Sequence, residues 1–305
     1  MKTKLVIIQG PTASGKSELA LRLAAQFDGE VVNADSMQVY RRMDIGTAKP
    51  SREQRERVRH HLIDIMEPDE PFSAADFCSR ADAAIADIHA RGKPIFLVGG
   101  TGLYIKTLTR GLVDSPGGDE KVRSELEEAA QRDGLEALHR HLAAVDPASA
   151  ARLHPNDRIR IVRALEVYLQ TGRPLSEWQD AHRFSEDRYD CLTLAISVER
   201  ELLYRRIEER VDLMVAEGLV EEVRGLIAAG FPPTLKSMGA IGYKEICAHL
   251  AGECTLAEAV ELIKKNTRNY AKRQMTWFRK SPEIIWVEYP GKFDSISSNV
   301  MEFYN

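Results

Sequence analysis

Apolar and polar positions fall into alternating blocks over the first hundred residues. Leu5–Gln9 is a short unbroken apolar run and predicts a buried strand. Ser17–Phe27 carries Leu19, Leu23 and Phe27 at helical spacing. Glu30–Ala34 predicts a second strand, and His61–Ile65 a weaker one. Ala74–Ala90 is Ala-rich and helical, stopped by Gly92 before Pro94, and Pro94–Val98 is another strand, ended by Gly99 and Gly100. This alternation predicts an α/β fold whose sheet is mainly parallel, with helices packed on it.

The strand pattern then stops. The turn cluster Ser115–Asp119 marks a boundary, and four helical stretches follow: Glu120–Arg132, Leu135–Val145, Pro147–Leu153 and Asp157–Gln170. Strand character returns at Cys191–Val198, followed by helices from about Arg200, a turn cluster at Gly230–Pro233, two more helices, a strand at Glu283–Glu288 and a polar tail. The expected organisation is a core of residues 1–113 and 188–305 interrupted by a helical insertion domain, 114–187.

Composition changes this picture little. The chain has 305 residues, of which 44% are apolar and 29% charged, as in an ordinary globular protein. No window reaches the ~20 apolar residues that span a bilayer, and no secretion signal is seen, so a cytoplasmic protein without membrane attachment is expected. Cys78, Cys191, Cys247 and Cys254 form no zinc-finger spacing and are expected to be reduced thiols. The formal net charge is −4, which taken alone weighs against a nucleic-acid partner.

Chemistry enters at Gly10-Pro11-Thr12-Ala13-Ser14-Gly15-Lys16-Ser17, a G-x-x-x-x-G-K-[ST] match between a strand and a helix. Such a loop wraps its backbone N–H groups around a di- or triphosphate, with Lys16 as a point charge and the Ser17 hydroxyl as a Mg²⁺ ligand. The fold expected is therefore a P-loop NTPase-like core. A nucleotide hydrolase would also carry a later apolar strand ending in Asp, whereas Pro94–Val98 runs into glycines, and no N-K-x-D guanine-reading motif occurs. The bound molecule then reads as a group donor whose diphosphate departs. Asp35 lies at the carboxyl end of the second strand, where open α/β sheets bind ligands. From position alone it serves equally as a general base or as a helix N-cap.

GPTASGKS, NADSMQVYRRMDIGTAKP (Asn33–Pro50) and LVGGTGLY (Leu97–Tyr104), with Asn156-Asp157-Arg158, Arg163-Ala164-Leu165-Glu166, Gly242-Tyr243-Lys244-Glu245, Thr267–Gln274 and Thr276-Trp277-Phe278, resemble the tRNA dimethylallyltransferase family of bacterial type, in order and over nearly the whole chain. The resemblance implies transfer of a dimethylallyl group from dimethylallyl diphosphate to N6 of the adenosine just 3′ of the anticodon, in tRNAs reading codons that begin with U. It implies Asp35 as base, Thr101 near the amine and the donor phosphates, and Arg123 as a further substrate contact on the diphosphate. Ser36, Met37 and Gln38 match the segment that holds the base, and the Gln38 amide offers both a donor and an acceptor. The segment Arg158, Ile159, Arg160, Ile161, Val162, Arg163, and Gly242, Tyr243 and Lys244, match tRNA contacts, with Arg163 also able to pair with Glu166. The expected partners are the tRNA anticodon stem-loop and dimethylallyl diphosphate, the cofactor Mg²⁺, and the state a monomer.

Lys264–Lys280 carries seven Lys or Arg and no acid, interleaved with Tyr270, Trp277 and Phe278. Outside it, 35 basic residues face 46 acidic ones, so the acidic average conceals a segregated basic tract. Lys272 and Arg273 are its expected RNA contacts, with Trp277 and Phe278 largely core. His60-His61 and the Glu208–Arg210 run receive no role. A P-loop small-molecule kinase, a prenyltransferase acting on free AMP or ADP, and a non-catalytic RNA-binding switch are the competing readings.

Overall fold

The computed structural model describes residues 2–305. The chain opens β1 (Lys4–Gln9), α1 (Lys16–Gln26), β2 (Glu30–Asn33), α2 (Arg52–Arg57), β3 (His60–His61), α3 (Ala74–Ala90), β4 (Ile95–Gly99) and α4 (Gly102–Arg110). Five helices follow: α5 (Glu120–Asp133), α6 (Leu135–Val145), α7 (Pro147–Arg152), α8 (Arg158–Thr171) and α9 (Leu175–His182). It closes with β5 (Asp190–Ile196), α10 (Arg200–Ala216), α11 (Leu219–Ala228), α12 (Tyr243–Leu250), α13 (Leu256–Phe278), β6 (Ile285–Val287) and α14 (Phe293–Tyr304). Two compact units result, Met1–Thr109 with Arg188–Asn305, and Arg110–Asp187.

The first unit is built on a six-stranded sheet in the order β3-β2-β4-β1-β5-β6, parallel at every pairing. The central strand β1 shows why: its residues alternate between two cores. Leu5 and Ile7 join Val32, Leu97, Phe77 and Ile85 on one face, while Val6 and Ile8 join Leu19, Leu23, Phe96 and Ile196 on the other. A strand covered on both faces has no polar side, which is why it reads as an unbroken apolar run. The carboxyl-terminal segment, expected to be a polar tail, is α14. Ile296 and Val300 recur on one side of that helix and are buried with the α1 face of the sheet; Ser297 is buried beside them, accepting from Gln26, and such interspersed Ser and Asn masked a genuine amphipathic period.

The second unit has its own core of Leu126, Leu138, Leu142, Ile161, Val162 and Leu165. Glu166, fully buried, anchors it. Its carboxylate accepts from both Arg123 and Arg163 and from the Asp119 backbone N–H, and these partners hold it below the usual carboxylate range against the opposing effect of burial. Among the described residues, no helix is long and apolar enough to cross a membrane.

Candidate active site

The carboxyl edge of the sheet gathers the site. The loop from Gly10 to Gly15 leaves β1 with Ala13 and Gly15 at positive φ and leads directly into α1. β4 ends where there is no room for a side chain: a Cβ on Gly99 would lie 2.1 Å from the Ala34 carbonyl oxygen. That close approach brings Thr101 against the end of β2. The Thr101 N–H donates to Ala34 O (3.3 Å), and the Ser36 N–H donates to Thr101 Oγ1 (3.1 Å).

Asp35 reconciles the two roles its position allows. Its Oδ1 caps the following turn, accepting from the N–H groups of Met37 (2.9 Å) and Gln38 (3.4 Å). Oδ2 has no hydrogen-bond partner among the described residues and is left for the cavity that Asp35 lines with Thr12, Lys16, Ser17 and Gln38. The capping half of the carboxylate orients the half available for proton transfer.

Two cations face that carboxylate. Burial pushes the Lys16 ammonium down to about 8, the Asp35 charge opposing this and the Arg210 cation adding to it. Arg210, on α10, is likewise pushed down by burial and supported only by Asp35. Neither forms an ion pair among the described residues; Lys16 Nζ reaches only the Pro11 carbonyl, at 3.4 Å. Two desolvated cations and one carboxylate leave a net positive deficit, which a diphosphate would neutralise. The assignment of no role to the 208–210 run is therefore corrected at Arg210. Its helix has no motif, and only folding brings it to the loop.

Gln274 ends a matched segment, but folding alone gives it its place in the site. From α13 it accepts the Thr12 N–H through Oε1 (2.9 Å) and donates Nε2 to Gly100 O (3.0 Å), tying the phosphate loop to the turn after β4. Tyr270, one helical turn earlier, lies within hydrogen-bond reach of Thr101 and Gln274, and burial together with the Asp35 charge raises its phenol, keeping it protonated.

No group of three His, Cys, Asp or Glu side chains that could hold a metal occurs among the described residues. Ser17, exposed at the start of α1 and lining the cavity, is the kind of single protein ligand Mg²⁺ takes when phosphate oxygens and water complete its shell.

The expected RNA contacts divide. Lys244, Lys272, Arg273, Arg158 and Arg160 are exposed, and Ile159 is 83% exposed between two arginines. Ile161 and Val162 belong to the core of the second unit, and Gly242 and Tyr243 are buried, so these side chains cannot meet RNA. Arg123 and Arg163 are held by Glu166, Arg163 additionally by the Pro116 and Gly117 carbonyls. Arg158 pairs with Glu127 and Arg160 with Asp157. In the basic tract, Lys264 pairs with Asp212 and Arg268 with Glu208, acids that α10 supplies; Lys265, Lys272, Arg273, Arg279 and Lys280 remain exposed. Phe278 is core as expected, but Trp277 is 39% exposed, packed edge-on against Gly102.

This geometry can be set beside known proteins. A family profile described as IPP transferase matches residues 38–281. The tRNA dimethylallyltransferase of Geobacter metallireducens is 71% identical over 304 residues, covering 100% of this chain and 98% of the relative. That of Geobacter sulfurreducens is 68% identical over 303 residues, covering 99% and 97%. Among solved structures, a full-length tRNA isopentenylpyrophosphate transferase from Bacillus halodurans superposes with a TM-score of 0.73 at 43% identity, covering 99% of this chain and 97% of that one. A eukaryotic dimethylallyltransferase solved acting on tRNA gives 0.82 at 32% identity, covering 98% of this chain and 77% of that one. A phosphate loop facing a strand-end carboxylate, within a chain this similar over its whole length, places the protein in the IPP transferase family, to which it belongs.

Proposed function

We infer that this chain is a tRNA dimethylallyltransferase, moving the dimethylallyl group of dimethylallyl diphosphate to N6 of the adenosine 3′-adjacent to the anticodon in tRNAs that read codons beginning with U. The observation that carries the reading is the facing of Asp35 Oδ2 with Lys16 and Arg210, two desolvated cations without acid partners, across one cavity. The cations and loop amides take up the charge of the departing diphosphate, an electrostatic contribution prepared before the reaction begins. The adenine amine forms a C–N bond to the allylic carbon as the C–O bond to the diphosphate breaks. The amine nitrogen becomes acidic as that bond forms, and its proton passes to Asp35. Thr101 holds the Ser36 amide and hence the turn that carries Asp35. Ser17 would hold Mg²⁺, which would supply further neutralisation of the leaving group's charge. The anticodon loop splays its target base into the site, drawn by the exposed Lys272, Arg273 and Lys244. The reading has the protein acting as a monomer in the cytoplasm.

Incubation with Mg²⁺, dimethylallyl diphosphate and unmodified tRNA should yield N6-dimethylallyladenosine in the digested RNA by mass spectrometry. Product from free AMP but not from tRNA would select the free-nucleotide prenyltransferase, and ATP turnover without prenyl transfer would select the kinase.

A further inference from the structure

Gln38 is buried beside Asp35, and its amide is not free to choose its orientation. Nε2 donates to Thr47 O (3.1 Å) and to Ala48 O (3.2 Å), which uses both amide hydrogens. The flipped amide would set Oε1 against two carbonyl oxygens. The sequence expectation of a donor and an acceptor is thus halved: the cavity is offered Oε1 alone.

What fixes those two carbonyls lies further off. The backbone N–H groups of Asp44 (2.9 Å), Ile45 (2.7 Å) and Gly46 (3.1 Å) all donate to the Glu222 carboxylate on α11. The Tyr243 hydroxyl, at the start of α12, donates to the same carboxylate at 2.6 Å. The Tyr243 ring covers Gly46 so closely that a Cβ there would lie 2.5 Å from it. Lys49 closes the loop's other end, bonded to Asp44, Asp64 and the Tyr40 carbonyl. Four donors converging on one carboxylate is an expensive arrangement unless the loop's position matters, and the loop's inner carbonyls lead directly to Gln38.

We propose that Glu222 and Tyr243 are positioning residues for base selection: they lock the loop of residues 44–48 so that Gln38 presents only an acceptor, favouring a purine with an amine at C6 over one with an oxygen there. The inference rests on the reading of the site as an adenosine prenyltransferase. An exocyclic amine has two hydrogens, one for Asp35 to remove and one for Gln38 Oε1 to hold. A C6 oxygen would meet Oε1 as a second acceptor, leaving both groups unpaired in a buried place.

The test uses two anticodon stem-loop RNAs identical except that inosine replaces the target adenosine in one. Their dissociation constants are measured by fluorescence anisotropy with the intact protein and with Tyr243→Phe, Glu222→Gln, Gln38→Met and the Tyr243→Phe/Gln38→Met pair. The unaltered protein should prefer adenosine at least ~10-fold, the discrimination one well-placed hydrogen bond gives. Tyr243→Phe and Glu222→Gln should each reduce the preference to under ~3-fold, with KM for dimethylallyl diphosphate within about twofold and the melting midpoint within a few degrees. Gln38→Met should do the same, and the pair should lose no more than Gln38→Met alone, because both changes act through one amide. Preserved discrimination in Tyr243→Phe and Glu222→Gln overturns the proposal, as does an additive loss in the pair. If the unaltered protein prenylates the adenosine RNA, those failures belong to this inference alone; if it prenylates no RNA, the parent reading falls and takes this one with it.

Discussion

The protein has two sets of basic side chains, and they are in opposite states. In the second unit, Arg123 and Arg163 close on the buried Glu166, Arg158 on Glu127 and Arg160 on Asp157. In the first, Lys16 and Arg210 are pushed down by burial, Lys16 also by the Arg210 charge, and both are supported only by the charge of Asp35. The first set holds its own unit together. The second is desolvated without an acid partner in the chain, and on the proposed function an incoming diphosphate would relieve that. What separates structure from function here is whether a cation's partner is already within the chain, and neither residue type nor motif reports that.

The contrast can be broken at several places. The largest effect should come from Asp35→Asn. Asn keeps an Oδ1 that accepts from Met37 and Gln38, so the turn survives while the base is lost. Single-turnover prenyl transfer should fall by a factor of about 10²–10⁴, with tRNA affinity by filter binding within a few fold. A near-normal rate would remove Asp35 from proton transfer.

Arg210→Met and Glu166→Gln should then move in opposite directions. Removing a strained cation should weaken dimethylallyl diphosphate binding by roughly tenfold or more in titration calorimetry while leaving the melting midpoint unchanged or raised. Replacing the anchor carboxylate should instead lower stability by about 2 kcal/mol, seen as a shifted denaturant midpoint, with donor affinity intact. Loss of stability in the first and of donor binding in the second would invert the comparison.

Lys272→Ala with Arg273→Ala probes the exposed part of the basic tract. At about −0.7 per single-strand phosphate contact, two lost contacts should flatten the plot of log affinity for tRNA against log salt by about 1.4. An unchanged slope would make the tract structural.

The smallest effect is in pH. Lys16, at about 8 against an ordinary 10.5, holds fewer protons folded than unfolded between those values. The unliganded protein should therefore gain stability from this group as pH rises from 8 towards 10.5, since stability rises wherever the unfolded state binds more protons. Donor affinity should fall over the same range, and binding near pH 8 should take up a proton, measurable by calorimetry in buffers of different ionisation enthalpy.

The phosphate loop, Asp35 and Thr101 were legible because each follows a strand closely, so chain order alone puts them at one sheet edge. Arg210 and Glu222 were not, because each comes from a helix more than a hundred residues away and carries no local signature; Gln274 ends a matched segment, but its partners on the phosphate loop and at Gly100 appear only in the fold. The same cause misjudged the basic tract: its neutralising acids, Asp212 and Glu208, lie on α10, outside any window in which charges were counted. Tyr243 shows the limit of motif transfer. Its position in a matched segment said that the segment matters, but burial against Glu222 shows that its side chain works from behind the binding loop.

The most direct test counts both products of one reaction. With Mg²⁺, dimethylallyl diphosphate and unmodified tRNA, inorganic diphosphate released and dimethylallyl incorporated at N6 of the anticodon-adjacent adenosine should rise together at one to one. ATP should neither be consumed nor required. Diphosphate release without incorporation, or incorporation at another atom, would contradict an Asp35 placed to deprotonate the attacking amine across from Lys16 and Arg210.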